Sequence, residues 1–140
     1  MRGLSERDTI PGRLLCNNYQ VAGSIGHGAV SDVYLARQMS LGNRSVAVKV
    51  LKKVICASSR RSAAVHVKHF ALEAELLHLC KSTAFAAIHD YGTLEDGDVK
   101  RPFMVMEYLG GALLSKYFEQ GRQFPLPLAA RIILTIGEAL

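Results

Sequence analysis

The chain has 140 residues, of which 49% are hydrophobic and 21% are charged, and its formal net charge is +5. This length fits one domain, and a composition close to the globular average excludes a disordered or low-complexity chain. No apolar run approaches the roughly 18 residues that a membrane span needs, and the alternating charges at the start of the chain are not those of a secretory signal.

The three cysteines, Cys16, Cys56 and Cys80, lie far apart in the sequence. An odd number of cysteines without a Cys-x-x-Cys spacing argues against a disulfide framework and against a structural zinc site. We therefore expect reduced thiols in a cytoplasmic protein, and no metal ligands.

The positive charge is concentrated between Asp32 and Glu73, where eight Lys and Arg residues and no acidic residue occur. Such a block is typical of a polyanion-binding surface and also of a solvated face around a phosphate site. No aromatic residue between Tyr34 and Phe70 could stack on nucleic-acid bases. We favour the phosphate site, and nucleic acid is not an expected partner.

Strands come first in the predicted order of elements. Runs rich in small apolar and β-branched residues predict strands over 19–25, 32–37, 45–51, 86–91 and 101–106. A helix is predicted over 63–80, preceded by a polar segment with a serine N-cap, and its apolar stripe consists of Val67, Phe70, Ala74 and Leu77. A turn at Asp96-Gly97 separates the last two strands, and helices over 112–120 and 127–140 end the chain.

This order predicts an α+β fold. Short connections between the strands favour a five-stranded antiparallel sheet with one helix packed on it.

A glycine-rich segment joins the first two predicted strands. Gly26-His-Gly-Ala-Val-Ser-Asp-Val33 matches G-x-G-x-x-[G/S]-x-V, and such glycines let backbone amides approach phosphate oxygens. The dinucleotide fingerprint needs a helix after the loop and an acidic residue about 20 positions later, and the P-loop needs Gly-Lys-[Ser/Thr]; neither pattern is met. A hairpin turn with ordinary glycines remains the alternative.

A lysine in an apolar strand is the second candidate feature. Lys49 ends the segment Val46-Ala-Val-Lys49, where its charge needs a partner unless it extends to solvent from an edge strand. An ammonium group of this kind suits phosphate oxygens. On the predicted helix, Glu73 lies about 60° from Phe70, whereas Glu75 lies about 140° from it. We therefore expect Glu73 to reach the sheet and Glu75 to face solvent.

The third feature is Phe103-Met-Val-Met-Glu107, an apolar strand that ends at an acidic residue before Gly110-Gly111. In order and spacing, the three features resemble the N-terminal lobe of a protein kinase, most closely that of bacterial serine/threonine kinases. The resemblance implies an N-terminal extension over 1–18, an ATP-binding lobe over 19–106, a hinge over 107–111 and the start of a helical C-lobe over 112–140.

The resemblance also implies an ATP site. The residues that it assigns to ATP are Ile25, Gly26, His27, Gly28, Ala29, Val30, Ser31, Val33, Ala47, Lys49, Met106, Glu107 and Leu109. In the family, the lysine holds the α- and β-phosphates and pairs with the helix glutamate, here Glu73. Val33 and Ala47 would enclose the adenine, with Met106 as gatekeeper, and the Glu107 carbonyl and Leu109 amide would bind its edge.

Leu77 and Ile88 would contribute to the regulatory stack of apolar side chains. Ser31 replaces the third glycine of the family pattern, and residues 110–113 lack the acidic residue that often meets the ribose.

No His-Arg-Asp or Asp-Phe-Gly motif occurs in the chain, although the family draws its catalytic base and its Mg²⁺ ligands from them. The resemblance thus implies an ATP- and Mg²⁺-dependent protein serine/threonine kinase acting on an unidentified protein. We expect the chain alone to be inactive and its affinity for ATP to be weak or undetectable. The alternative is a non-catalytic, kinase-like binding module.

Overall fold

The computed structural model describes residues 10–80 and 82–139, so part of the predicted extension, residues 1–9, lies outside the described residues. The strands are β1 (Leu14–Leu15), β2 (Tyr19–His27), β3 (Ser31–Gln38), β4 (Arg44–Leu51), β5 (Ile88–Asp96) and β6 (Val99–Glu107). The helices are α1 (Lys53–Cys56), α2 (Arg60–Leu79), α3 (Leu114–Glu119) and α4 (Leu126–Ala139), and a 3₁₀ turn spans Met39–Leu41.

The strands form one antiparallel sheet of six strands in the order β1-β2-β3-β4-β6-β5, so the predicted number of five was wrong. The additional strand is β1, whose two leucines pair with Gln20 and Tyr19 of β2. The connection between β1 and β2 contains Cys16 and Asn17 at positive φ, a conformation that asparagine tolerates better than most residues. Two residues are too few to produce a recognisable strand pattern in the sequence.

The central strand β4 is buried on both faces. Val46, Val48 and Val50 are fully buried in the larger of two hydrophobic clusters. Strand alternation places Ala47, Lys49 and Leu51 on the opposite face. There, Leu51 belongs to the second cluster, together with residues of α2 and β6.

The sheet curls so that its two ends approach each other. The Tyr19 hydroxyl of β2 donates to Asp90 Oδ2 of β5 at 2.8 Å, although these strands are not neighbours in the sheet. Burial of the ring, with the Asp90 carboxylate beside its hydroxyl, raises the pKa of Tyr19 to about 12. Arg13, which precedes β1, also reaches β5 through the carbonyl of Glu95.

A buried arginine joins the end of β4 to the β5–β6 hairpin. Arg101 is 1% exposed, and its Nε and Nη1 donate to the Leu51 carbonyl and to Asp96 Oδ2, each at 2.9 Å. Lys53 and Arg13 lie 3.7 and 3.8 Å from Asp96 Oδ1. Burial would raise the pKa of the Asp96 carboxyl, but the hydrogen bond from Arg101 and these cations outweigh it and hold that pKa below its usual value.

Helix α2 packs on the sheet through a narrow stripe. Its N-cap is Ser59, whose hydroxyl accepts from the Ser62 amide at 3.3 Å, as the polar segment predicted. Phe70 and Ala74 are buried, whereas Val67, which the periodicity placed in the same stripe, is 36% exposed. The contact with the sheet is therefore centred on the second half of the helix.

None of the helices described within residues 10–80 and 82–139 is both long enough and apolar enough to cross a membrane.

Replacing Gly92 tests the packing between β5 and β6. A Cβ on Gly92 would lie 2.7 Å from Cζ of Phe103, its fully buried cross-strand neighbour. Because that ring is fully buried and would have to move, we expect Gly92→Ala to lower the free energy of unfolding by about 1–3 kcal/mol. The control is Gly23→Ala in β2, where a Cβ meets nothing within 4 Å and no loss is expected. Urea unfolding measures both variants, and equal stabilities would contradict this packing.

Candidate nucleotide site

An ion pair between β4 and α2 lies at the centre of the site. Lys49 Nζ is 2.6 Å from Glu73 Oε1, and the two side chains are 22% and 45% exposed. The same ammonium group lies 6.0 Å from the centroid of the Phe70 ring. Glu75 is exposed. The structure therefore brings the predicted lysine and glutamate together, with Glu75 at the surface.

Cross-strand register determines which side chains share a face with Lys49. Lys49 is opposite Val33 on β3 and Met104 on β6. Ala47 is opposite Leu35 and Met106 in the next row. Side chains of directly opposed residues point to the same side of a sheet.

We call this surface the Lys49 face and define it by Val33, Leu35, Ala47, Lys49, Met104 and Met106. It includes Val33, Ala47 and Met106, which the resemblance assigns to the adenine pocket, but not Glu107 or Leu109. Leu35 and Met104 were not among the predicted site residues, although strand alternation from Val33 and from Met106 leads to both.

The glycine-rich segment closes the hairpin between β2 and β3. The Gly28 amide donates to the Ser31 carbonyl at 2.8 Å, which makes a tight turn over 28–31. A Cβ on Gly28 would lie 2.8 Å from that carbonyl oxygen, so this position requires glycine. Ile25, Ala29 and Val30 are exposed, whereas Ser31 is buried. The segment continues into a strand and not into a helix, which agrees with rejecting the dinucleotide fingerprint.

The His27 side chain lies away from the Lys49 face. His27 is directly opposite Asp32, which alternates with Val33 and therefore lies on the other side of β3. His27 Nδ1 is 3.1 Å from Asp32 Oδ1, and its Nε2 is 3.2 Å from the Ser24 hydroxyl. His27 was assigned to the ATP site, but its imidazole ring contacts Ser24 and Asp32 instead of the Lys49 face.

The end of β6 packs against α2 and β5. Met106, Leu77 and Ile88 are partly buried against the second hydrophobic cluster, so the predicted gatekeeper and two stack residues meet there. The Glu107 amide donates to the Ala87 carbonyl at 2.8 Å. Leu109 is exposed in the segment that follows β6.

Within the described part of the chain, no three His, Cys, Asp or Glu side chains are grouped so that they could hold a metal ion.

The energy of the central ion pair can be measured with a double-mutant cycle of Lys49→Met and Glu73→Gln. Because both groups are partly exposed, we expect a coupling energy of about 0.2–1 kcal/mol in urea unfolding. The control cycle replaces Glu73→Gln by Glu75→Gln, for which we expect no coupling with Lys49. Equal coupling in the two cycles would show that Glu73 is not the specific partner.

Curated proteins similar to this chain include several bacterial kinases, although no protein-family model matches it. The chain is 31% identical over 126 residues to serine/threonine-protein kinase PknB of Mycobacterium leprae, which covers 90% of this chain and 19% of that protein. It is 36% identical over 142 aligned residues to serine/threonine-protein kinase A of Synechocystis, covering 91% and 26%. For serine/threonine-protein kinase pkn3 of Myxococcus xanthus, the identity is 28% and the coverage 96% and 22%.

The chain therefore spans about a fifth to a quarter of the length of these relatives. The similarity extends over nearly the whole of this chain and agrees with an antiparallel sheet that carries a lysine paired with a helix glutamate. The chain is thus related to the bacterial serine/threonine protein kinases and resembles their N-terminal lobe.

Proposed function

We propose that this chain is the ATP-binding part of a protein serine/threonine kinase. The observation that carries the proposal is the 2.6 Å contact between Lys49 and Glu73. Lys49 lies on the Lys49 face, opposite Val33, which in turn pairs with Gly26 of the glycine-rich segment. A carboxylate that holds an ammonium group in place preorganises it, so that the group can bind phosphate oxygens without first becoming ordered. The kinase relatives support the same interpretation.

In this proposal, ATP lies against the Lys49 face. Val33 and Ala47 enclose the adenine, and Met106 limits the depth of the site. The carbonyl of Glu107 and the amide of Leu109 bind the adenine edge within a hinge at 107–111. This hinge divides an ATP-binding lobe over 19–106 from helices at 112–140, and residues 1–18 form an N-terminal extension.

The phosphates lie nearer to the hairpin. The segment Ile25, Gly26, His27, Gly28, Ala29, Val30 and Ser31 covers them, and Lys49 holds the α- and β-phosphates. Glu73 keeps the lysine directed at this position. Mg²⁺ would neutralise charge on the β- and γ-phosphates when bound. Its ligands and the residue that orients the accepting hydroxyl belong to motifs that these 140 residues do not contain.

We therefore expect no phosphoryl transfer to protein hydroxyls from the 140 residues by themselves. The partners in this proposal are ATP and a protein substrate in the cytoplasm. A solvent-open site without these further groups binds nucleotide weakly, because part of the charge on the phosphates stays unneutralised.

A non-catalytic binding module is the second candidate, and an exposed apolar groove favours it. The groove has a volume of about 760 Å³ between α2 and the end of α4, and its lining includes Leu72, Leu76, Leu79 and Phe85. On α4, Ile133, Leu134 and Ile136 are also at least half exposed. Apolar surface of this kind favours association with another protein surface.

ATP binding can be tested by amide chemical-shift titration of the isotope-labelled chain at millimolar nucleotide. We expect shifts at Gly26, Gly28 and Leu109, and a roughly tenfold or greater loss of affinity in Lys49→Met, since a charge-assisted contact to phosphate is removed. The control is Lys68→Met, which removes an exposed lysine of α2.

Two results would contradict the proposal. One is the absence of any shift at millimolar ATP, which would favour the binding module. The other is equal weakening in Lys49→Met and Lys68→Met, which would show that ATP is attracted by the general positive charge of the chain.

A further inference from the structure

A histidine–aspartate contact lies at the base of the glycine turn. His27 and Asp32 are directly opposite each other in the last cross-strand pair before the tight turn over 28–31. His27 Nδ1 is 3.1 Å from Asp32 Oδ1, with the two side chains 75% and 10% exposed. This contact therefore joins the two strands where the turn begins.

Lys52, the residue that follows β4, contacts the same turn and the same aspartate. The Lys52 amide, just beyond β4, donates to the carbonyl of Val30 at 2.9 Å. Its ammonium group lies 3.6 Å from Asp32 Oδ1, the oxygen that His27 also approaches. His27 and Lys52 thus approach the same carboxylate oxygen, one from β2 and the other from the residue after β4.

The contacts of His27 are compatible with both protonation states of the ring. In the neutral ring, Nδ1–H donates to Asp32, and Nε2 accepts from the Ser24 hydroxyl. In the imidazolium, both nitrogens donate, and the same hydroxyl oxygen accepts from Nε2–H. Protonation therefore adds a charge to the contact with Asp32 without requiring a new arrangement of side chains.

We propose that His27 is a positioning residue whose protonation tightens the glycine hairpin through Asp32. A histidine side chain is the one that changes its charge between about pH 5 and pH 8. The attraction between imidazolium and carboxylate is present at the acidic end of this range and is lost as the pH rises. The consequence for ATP, a less mobile cover over the phosphates at lower pH, rests on the proposed function; the hairpin effect does not.

The charged groups around this ring are few among the described residues. Asp32 faces it from β3, and Lys52 reaches the same carboxylate from the end of β4. Lys53, the next residue, directs its ammonium group to Asp96. The only opposing charge in these contacts is that of Lys52, so its removal enlarges the effect of protonating His27.

Amide hydrogen exchange in the absence of nucleotide tests the inference. The reporters are the Gly28 and Lys52 amides, which donate to the Ser31 and Val30 carbonyls, and the amide of Ala74, a buried residue of α2, serves as the reference. Relative to Ala74, we expect the protection factors of both reporters to be about two- to fivefold higher near pH 5.5 than near pH 8, the range that an exposed ion pair supports.

The variants identify the group responsible. His27→Gln keeps a polar side chain but cannot take up a proton in this range, and we expect no difference between the two pH values. His78→Gln, which removes an exposed histidine from the last turn of α2, should behave like the unmodified chain. In Lys52→Met we expect the pH effect on Gly28 to increase.

The proposal is wrong if the unmodified chain shows equal protection at both pH values, if His27→Gln retains the difference, or if Lys52→Met abolishes it. Because no nucleotide is present, these outcomes are independent of whether the chain binds ATP. A chain that fails the ATP titration can still show the hairpin effect, and the reverse also holds.

Discussion

The packing of helix α2 on the central strand is the constraint on which the site depends. Between Val46 and Leu51, β4 is apolar on both faces except for Lys49, whose side chain is only 22% exposed. A charge in this position requires a partner, because burial of an unpaired ammonium group is costly. Glu73 supplies that partner only when α2 lies at its observed position against the sheet.

The ion pair does not hold the helix there by itself. A pair as exposed as Lys49–Glu73 contributes about 0.2–1 kcal/mol, whereas full burial of a side chain such as Phe70 contributes about 1.5–3 kcal/mol. Phe70 and Ala74, on either side of Glu73 along the helix, are buried against Leu51 and Met104. Apolar packing therefore positions the helix, and the carboxylate follows from its place beside this stripe. The candidate phosphate site therefore depends on the ion pair, and the ion pair depends on the packing of the hydrophobic core.

Local pattern was sufficient to predict the central part of the sheet and the pairing of its lysine. β4 alternates small and branched residues, and the angle of Glu73 from Phe70 follows from helix geometry alone.

β1 and α1 were missed because two and four residues are too short for a periodic signal. The Arg101 contact with the Leu51 carbonyl spans 50 residues of sequence, so it depends on how the strands assemble. The side-chain contacts of His27 were missed for a different reason, since the loop motif specifies backbone positions and not the orientation of its variable residues.

The position of the adenine is the most direct test of this account, and transferred nuclear Overhauser effects from ATP to methyl-labelled chain measure it. They suit a weakly bound ligand, which samples the bound geometry during rapid exchange. If ATP lies against the Lys49 face, we expect contacts from the adenine protons to the methyl groups of Ala47 and Val33. Contacts confined to the exposed apolar residues of α4, such as Ile133 and Leu134, would place the nucleotide elsewhere and contradict the account.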